Sequence, residues 1–190
     1  MRPLVFLVEE ASMKAFLEEF LPRLLPGRRF ICLGHEGKQD LEKSVPRKLR
    51  AWPDADFVVL RDNDGADCTA LKSRLLTLCR QGGRPETLVR IVCQELEAWF
   101  LGAPAALAEA YSNPRLADLG RKAKFRIPDV LGSPSRELAR LVPTFQKVDA
   151  ARRLGRCLPL DVAASQSRSF QVFVRGICRL AAATDGEPGP

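Results

Sequence analysis

Phe57-Val58-Val59-Leu60 is an unbroken apolar run that passes directly into Arg61-Asp62-Asn63-Asp64-Gly65. A strand with one wet face alternates apolar and polar residues. A continuous run of strand length needs cover on both faces, as in a parallel sheet. Leu4-Val5-Phe6-Leu7-Val8 has the same character. Arg29-Phe30-Ile31-Cys32-Leu33, ended by Gly34, and Leu88-Val89-Arg90-Ile91-Val92 are two further strand candidates. The sequence between these runs supplies the covering helices. Met13, Phe16, Leu17, Phe20, Leu21 and Leu24 recur at helical spacing, and Pro22 should kink or shorten that helix. Leu41, Val45, Leu49 and Trp52 form a second stripe, with Asp40 as its expected cap. Leu71, Leu75, Leu78 and Cys79 form a third, begun at Asp67 and stopped by Gly82-Gly83. Strand and helix alternate throughout, which predicts an α/β core over residues 1–110, an open parallel sheet of about four strands with flanking helices.

Beyond residue 110 the strand signals fade. Helices are expected from Pro134 to Val142 and from Val148 to Leu158, and Phe170, Phe173, Val174, Ile177 and Leu180 share one helical face. Residues 111–183 therefore read as a mainly helical extension packed on the core, and 184–190 as a disordered tail. This back part carries the net charge. Residues 1–110 hold 16 Lys and Arg against 16 Asp and Glu, whereas 111–190 hold 14 against 7. A neutral, acid-bearing front followed by a basic back suits a polyanion gripped by one part and cut by the other. Charge alone reads first as a solvated basic surface.

No apolar run approaches the length of about 20 residues that spans a bilayer. The opening apolar run is too short for a secretory signal, and Glu9-Glu10 ends it, so the expected location is the cytoplasm. The six cysteines form no Cys-x-x-Cys pair and share the chain with a single histidine, which excludes zinc spacing. Most are expected to be small buried residues.

Acids follow the strands. Glu9 and Glu10 come after the first, Asp62 and Asp64 after the third, Glu95 and Glu97 after the fourth. In a parallel sheet these loops share one edge, where carboxylates repel one another and raise each other's pKa. A divalent cation removes that penalty, and carboxylates with water are the ligands that Mg2+ or Mn2+ prefers. Each motif alone has a plainer meaning: Asn63 and Gly65 make a turn, and paired glutamates begin helices. The combination carries the metal reading.

Val8-Glu9-Glu10 and Arg61-Asp62-Asn63-Asp64, each after an apolar strand, resemble the TOPRIM domain of topoisomerases, primases and OLD-type nucleases. That family places a glutamate after its first strand and Asp-x-Asp after its third, which map onto Glu9, Asp62 and Asp64. The chain resembles more closely a TOPRIM-like family of bacterial proteins often encoded beside AAA-type ATPases in defence loci. Val8-Glu9-Glu10-Ala11-Ser12-Met13-Lys14, His35-Glu36-Gly37-Lys38-Gln39-Asp40-Leu41, Glu95-Leu96-Glu97-Ala98-Trp99, Lys122-Ala123-Lys124-Phe125 and Ser167-Arg168-Ser169-Phe170 carry that match. The resemblance implies a metal-dependent nuclease, the effector of a defence system with an AAA-type ATPase as partner. Glu9, Asp62 and Asp64 would bind one or two Mg2+ or Mn2+ ions. Glu10 and Glu97 would be further ligands or bases, and Lys38, Lys122, Lys124 and Arg126 would hold the phosphates of nucleic acid. Glu10 stands where TOPRIM domains have a glycine, which predicts a stiffer and more negative loop.

Two other functions compete. Val58-Val59-Leu60-Arg61-Asp62-Asn63-Asp64-Gly65 resembles the opening of haloacid-dehalogenase phosphatases, with Asp62 as nucleophile and Asp64 as general acid. There the motif follows the first core strand, whereas here two strand–helix units precede it. The alternative of another class is a non-catalytic module that binds metal or a partner. An EF-hand fails because Gly65 falls at the fourth loop position rather than the sixth. Gly34-His35-Glu36-Gly37-Lys38 lacks phosphate-loop spacing, although a phosphate could still sit at a helix start beside Lys38. His35 reads first as a satisfied surface or hinge residue and only second as a base.

Overall fold

The computed structural model describes residues 2–185. It is an α/β fold built on four parallel strands, β1 (Leu4–Val8), β2 (Phe30–Gly34), β3 (Asp56–Asp62) and β4 (Leu88–Val92), in the order β2-β1-β3-β4. Helices α1 (Ala11–Leu24), α2 (Lys38–Ala51) and α3 (Cys68–Gln81) connect them. The remainder holds α4 (Leu96–Leu101), α5 (Pro104–Ala110), α6 (Pro134–Leu141), α7 (Lys147–Cys157) and α8 (Arg168–Asp185), with no strand among the described residues. Between α5 and α6 the chain winds into short 3-10 turns at Pro114–Arg121, Ala123–Phe125 and Pro128–Val130.

The two-residue period of the strands sorts the core. Leu4, Phe6, Val8, Val58, Leu60 and Val92 face a layer that includes α1, α4, α5, α7 and α8. Val5, Leu7, Phe57, Val59 and Val89 face α2 and α3. Phe16, Trp99, Phe170 and Phe173 are fully buried in the first layer, and Trp99 Nε1 donates to Ser169 Oγ at 2.8 Å. Burying each such ring is worth roughly 1.5–3 kcal/mol. The back part is therefore part of the same core as the sheet.

Local expectations fared unevenly. Asp67 caps α3 by accepting from Ala70 N–H at 2.6 Å. Asp40 does not cap α2: the helix starts at Lys38 behind Gly37, whose φ of 91° only glycine adopts easily, and Asp40 lies in the first turn. α1 runs on through Pro22 to Leu24, because a proline this near the helix end removes little hydrogen bonding. α8 reaches Asp185, and residues 186–190 of the expected tail lie outside the described residues. Cys32 and Cys79 are buried and Cys178 is exposed, with the other three thiols between. Among the described residues no helix is long and apolar enough to cross a membrane.

Candidate active site

The strand order places β1 beside β3, the point from which the chain leaves in opposite directions, to β2 on one side and β4 on the other. Open α/β sheets have a crevice at the carboxyl ends of two such strands. Val8 pairs with Leu60, so Glu9 and Glu10 emerge beside Arg61 and Asp62. The loops are sewn together by backbone bonds: Asn63 N–H to Val92 C=O at 3.0 Å, Asp64 N–H to Gln94 C=O at 3.1 Å, and Gly37 N–H to Glu9 C=O at 3.1 Å. Asn63 is 6% exposed; its Nδ2 donates to Ala66 C=O at 2.6 Å and its Oδ1 accepts from Gln94 N–H. Asn63 thus holds the Asp-x-Asp turn rigid between the two aspartates. Glu10 has extended backbone, φ −142° and ψ 167°, which any residue adopts, so it can stand where glycine was the expectation.

The acids meet different partners. Asp62 Oδ2 accepts from Leu96 N–H at the start of α4, at 3.2 Å. Burial, then the charges of Glu97, Glu10 and Glu9, push its carboxyl well above the usual range. Glu9 is also raised, by burial first and Asp64 second, against the pull of Arg61. Glu97 is 1% exposed, with neither carboxyl oxygen hydrogen-bonded, and burial lifts it to about 7. Asp64, at φ 49°, points outward and pairs with Lys38 Nζ at 3.8 Å. Asp62 and Asp64 thus face different partners instead of sharing one, because the left-handed turn residue swings its side chain away. Among the described residues no three His, Cys, Asp or Glu side chains are grouped as ligands of a single ion. The donor set nevertheless suits a cation: Glu9 Oε2 and both Glu97 oxygens are buried without hydrogen-bond donors.

Two basic residues to which the sequence assigned no role complete the site. Arg61, 8% exposed, pairs with Glu9 at 3.5 Å and with Glu42, whose other oxygen meets Arg74 at 2.5 Å. Lys147, at the start of α7, lies 3.8 Å from Glu10. Burial depresses Lys147, but the charges of Glu97, Glu10, Glu95 and Asp62 outweigh it and raise its pKa. α7 delivers it by lying unusually close to α1. A Cβ on Gly155 would stand 2.7 Å from Phe16 C=O, and Arg156 grips Glu19 with bonds of 2.9 and 2.7 Å.

The remaining expected residues are spread around this centre. Lys38 lies at the site. Lys122, Lys124 and Arg126 are exposed, and Lys124 is bound to Glu137 at 2.5 Å. α6 links that stretch to the acids, because Ser135 N–H donates to Glu95 at 2.7 Å two residues before Glu137. His35 is committed: Nδ1 donates to Val8 C=O at 2.8 Å, and Nε2 meets Ser44 Oγ at 2.5 Å. It fastens β1 to α2 and leaves no ring nitrogen for chemistry.

A family model described as a domain of unknown function (DUF4276) matches residues 8–177, from the last residue of β1 into α8. No curated protein and no solved structure matches the chain.

Proposed function

We propose that this chain, which belongs to the DUF4276 family, hydrolyses phosphodiester bonds of nucleic acid with Mg2+ or Mn2+ held by Glu9 and Asp62, which Asp64 would join by giving up Lys38. The carrying observation is the set of buried carboxylate oxygens without donors, on Glu9 and Glu97, at the crevice between β1 and β3. Buried carboxylate oxygens without a hydrogen-bond donor are costly, and a cation would satisfy them beyond what Arg61 and Lys147 supply. An all-oxygen ligand set favours a hard divalent ion over zinc.

Such an ion, when bound, supplies Lewis-acid stabilisation of the phosphoryl group and lowers the pKa of water. The chain's own groups do the rest. Arg61 and Lys38 hold Glu9 and Asp64 in their places. Asn63 keeps the two aspartates on one rigid turn. Glu97, raised to about 7, suits proton transfer near neutral pH. Lys147 and Lys38 offset the charge that a bound phosphodiester brings to an acidic site. Resemblance to TOPRIM domains and to proteins encoded beside AAA-type ATPases supports a role as effector in bacterial defence, with such an ATPase as partner.

The test is Mn2+-dependent cleavage of DNA and RNA, run beside hydrolysis of a generic phosphomonoester. Wild type and Asp62→Ala are compared with and without a co-encoded ATPase. Strand cutting by wild type alone supports the reading. Asp62-dependent monoester turnover with no strand cut under either condition would replace it with a phosphatase. Metal binding with no turnover at all would leave a non-catalytic module.

A further inference from the structure

α8 carries Arg168, Arg175 and Arg179 at spacings of seven and four, which place them on one helical face, all exposed. Val172 lies among them. Across from Arg168, Lys72 projects from α3, and between the two helices lies a cleft of about 450 Å3 over β4. Leu76, Val89, Ile91 and Val172 give it an apolar floor. Val172 also lines a second hollow of about 550 Å3, with Arg175, Cys178 and Arg179, so the two adjoin along α8. β4 is the edge strand of the sheet.

The positive charge here is uncompensated. Elsewhere in the back half Arg121, Lys124, Arg140, Arg153 and Arg156 each pair with a nearby acid, whereas among the described residues Arg115, Lys122, Arg126, Arg136 and Arg152 do not; what sets the α8 face apart is its alignment along one cleft. Among the described residues Lys72, Arg168, Arg175 and Arg179 have no such partner. Among the described residues Asp129 is the one carboxylate lining the groove, and it accepts from Ser167 Oγ at 2.6 Å and Ser169 N–H at 2.7 Å. Arg90 is built in beneath. Its guanidinium lies so close to α8 that a Cβ on Gly176 would stand 2.6 Å from Nε. Glycine in a helix interior costs about 1 kcal/mol relative to alanine, and here it admits the cation. Arg90 donates to Val172 C=O at 3.3 Å and Val89 C=O at 3.0 Å, and among the described residues it pairs with no carboxylate. Burial, and then the like charge of Arg179, disfavour its cationic form.

The groove also has a direction. Cys68 and Cys93, just beyond the carboxyl ends of β3 and β4, line its Arg168 end. Leu180, one residue past Arg179, sits with Ala55, Phe57 and Thr87 at the amino ends of the same strands. The arginines therefore run from the acidic edge down the side of the sheet. Eleven residues at about 1.5 Å each span about 16 Å, room for several phosphates.

We propose that this α3–α8 groove binds the phosphate backbone of a nucleic-acid strand and leads it to the acids at the β1–β3 crevice. The proposal rests on the hydrolase reading for its substrate. A line of unpaired cations over an apolar floor, opening at the sheet edge that bears the acids, fits a strand better than a compact anion or an acidic protein surface.

The experiment is fluorescence anisotropy of the full chain with labelled single-stranded DNA, single-stranded RNA and duplex DNA, in EDTA so that nothing is cut. Replacing Arg168, Arg175 and Arg179 with Ala should raise Kd at least about tenfold. It should also reduce the slope of log K against log salt by about 2 for a single strand, roughly 0.7 per contact. The triple Lys variant should keep the slope, and Arg175→Glu alone should weaken binding, each with an unchanged circular dichroism spectrum. Wild-type Kd and slope in the Ala variant would overturn the groove assignment and leave the hydrolase reading standing. An equal loss in the Lys variant would also overturn it, since charge would not be the cause. Arginine-dependent binding by a chain that never cuts a strand would uphold the groove and sink the hydrolase reading.

Discussion

Arg61 Nε lies 3.5 Å from Glu9 Oε2, so the residue just before Asp62 holds the carboxylate that follows β1. The same guanidinium meets Glu42, at 8% exposure for Arg61. Removing it leaves Glu9 without its cation and Glu42 with Arg74 alone.

Arg61→Met should therefore destabilise the metal-free protein by about 3 kcal/mol or more, because a broken buried pair strands its partner's charge. Urea unfolding checks this. Adding Glu42→Gln should restore part of the loss, and a single variant as stable as wild type would remove the assigned role.

Glu97 gives a pH signature. Its folded pKa of about 7 lies above the ordinary value of 4.5, so the native state binds the extra proton. The stability it contributes is full below about pH 4.5 and is lost as pH rises through 7, by roughly 3 kcal/mol. Glu97→Gln should flatten that decline in denaturation curves in EDTA. The groups facing it, Lys147, Glu95 and Glu10, remain in the variant as internal controls. A wild-type decline surviving in Glu97→Gln would assign it elsewhere.

Mn2+ should stabilise the wild type by RT ln(1 + [Mn2+]/Kd), about 2.7 kcal/mol at a hundred times Kd. Asp62→Asn with Asp64→Asn should abolish that gain while leaving metal-free stability equal or higher, since like-charge repulsion is relieved. Calorimetric titration with unchanged affinity in this variant would contradict the ligand assignment.

Lys147→Met removes the cation that the acids surround. The midpoint of the Glu97-dependent stability decline should move to higher pH, because Lys147 pulls Glu97 down. Strand cleavage, if the proposed activity holds, should fall on the order of 10²-fold in kcat, the scale of losing one charge-stabilising donor. An unmoved midpoint would show that Lys147 does not reach the acids in solution.

The sequence by itself determined the sheet and which acids follow its strands. β1 and β4 begin and end where their apolar runs do, and Asp67 starts α3 as its capping chemistry requires. These follow from short-range causes: side-chain period, turn residues and the unpaired groups of helix ends. That Glu9 and Asp62 stand together followed once the sheet was taken as parallel, although the left-handed turn that parts Asp64 from Asp62 did not.

Tertiary structure alone decided the cations. Lys147 lies some 50 residues beyond Glu97 in the chain and reaches the acids only because Gly155 lets α7 press against α1. Arg61 reads in sequence as the polar end of a strand and is instead the bridge from Glu9 to Glu42. The arginines of α8 are periodic in sequence, but whether acids neutralise them depends on what packs opposite. The basic stretch at Lys124 has Glu137 against it, and the face at Arg175 has none among the described residues. Periodicity records which side of an element is buried, while charge compensation depends on neighbours many residues away, which no local pattern encodes.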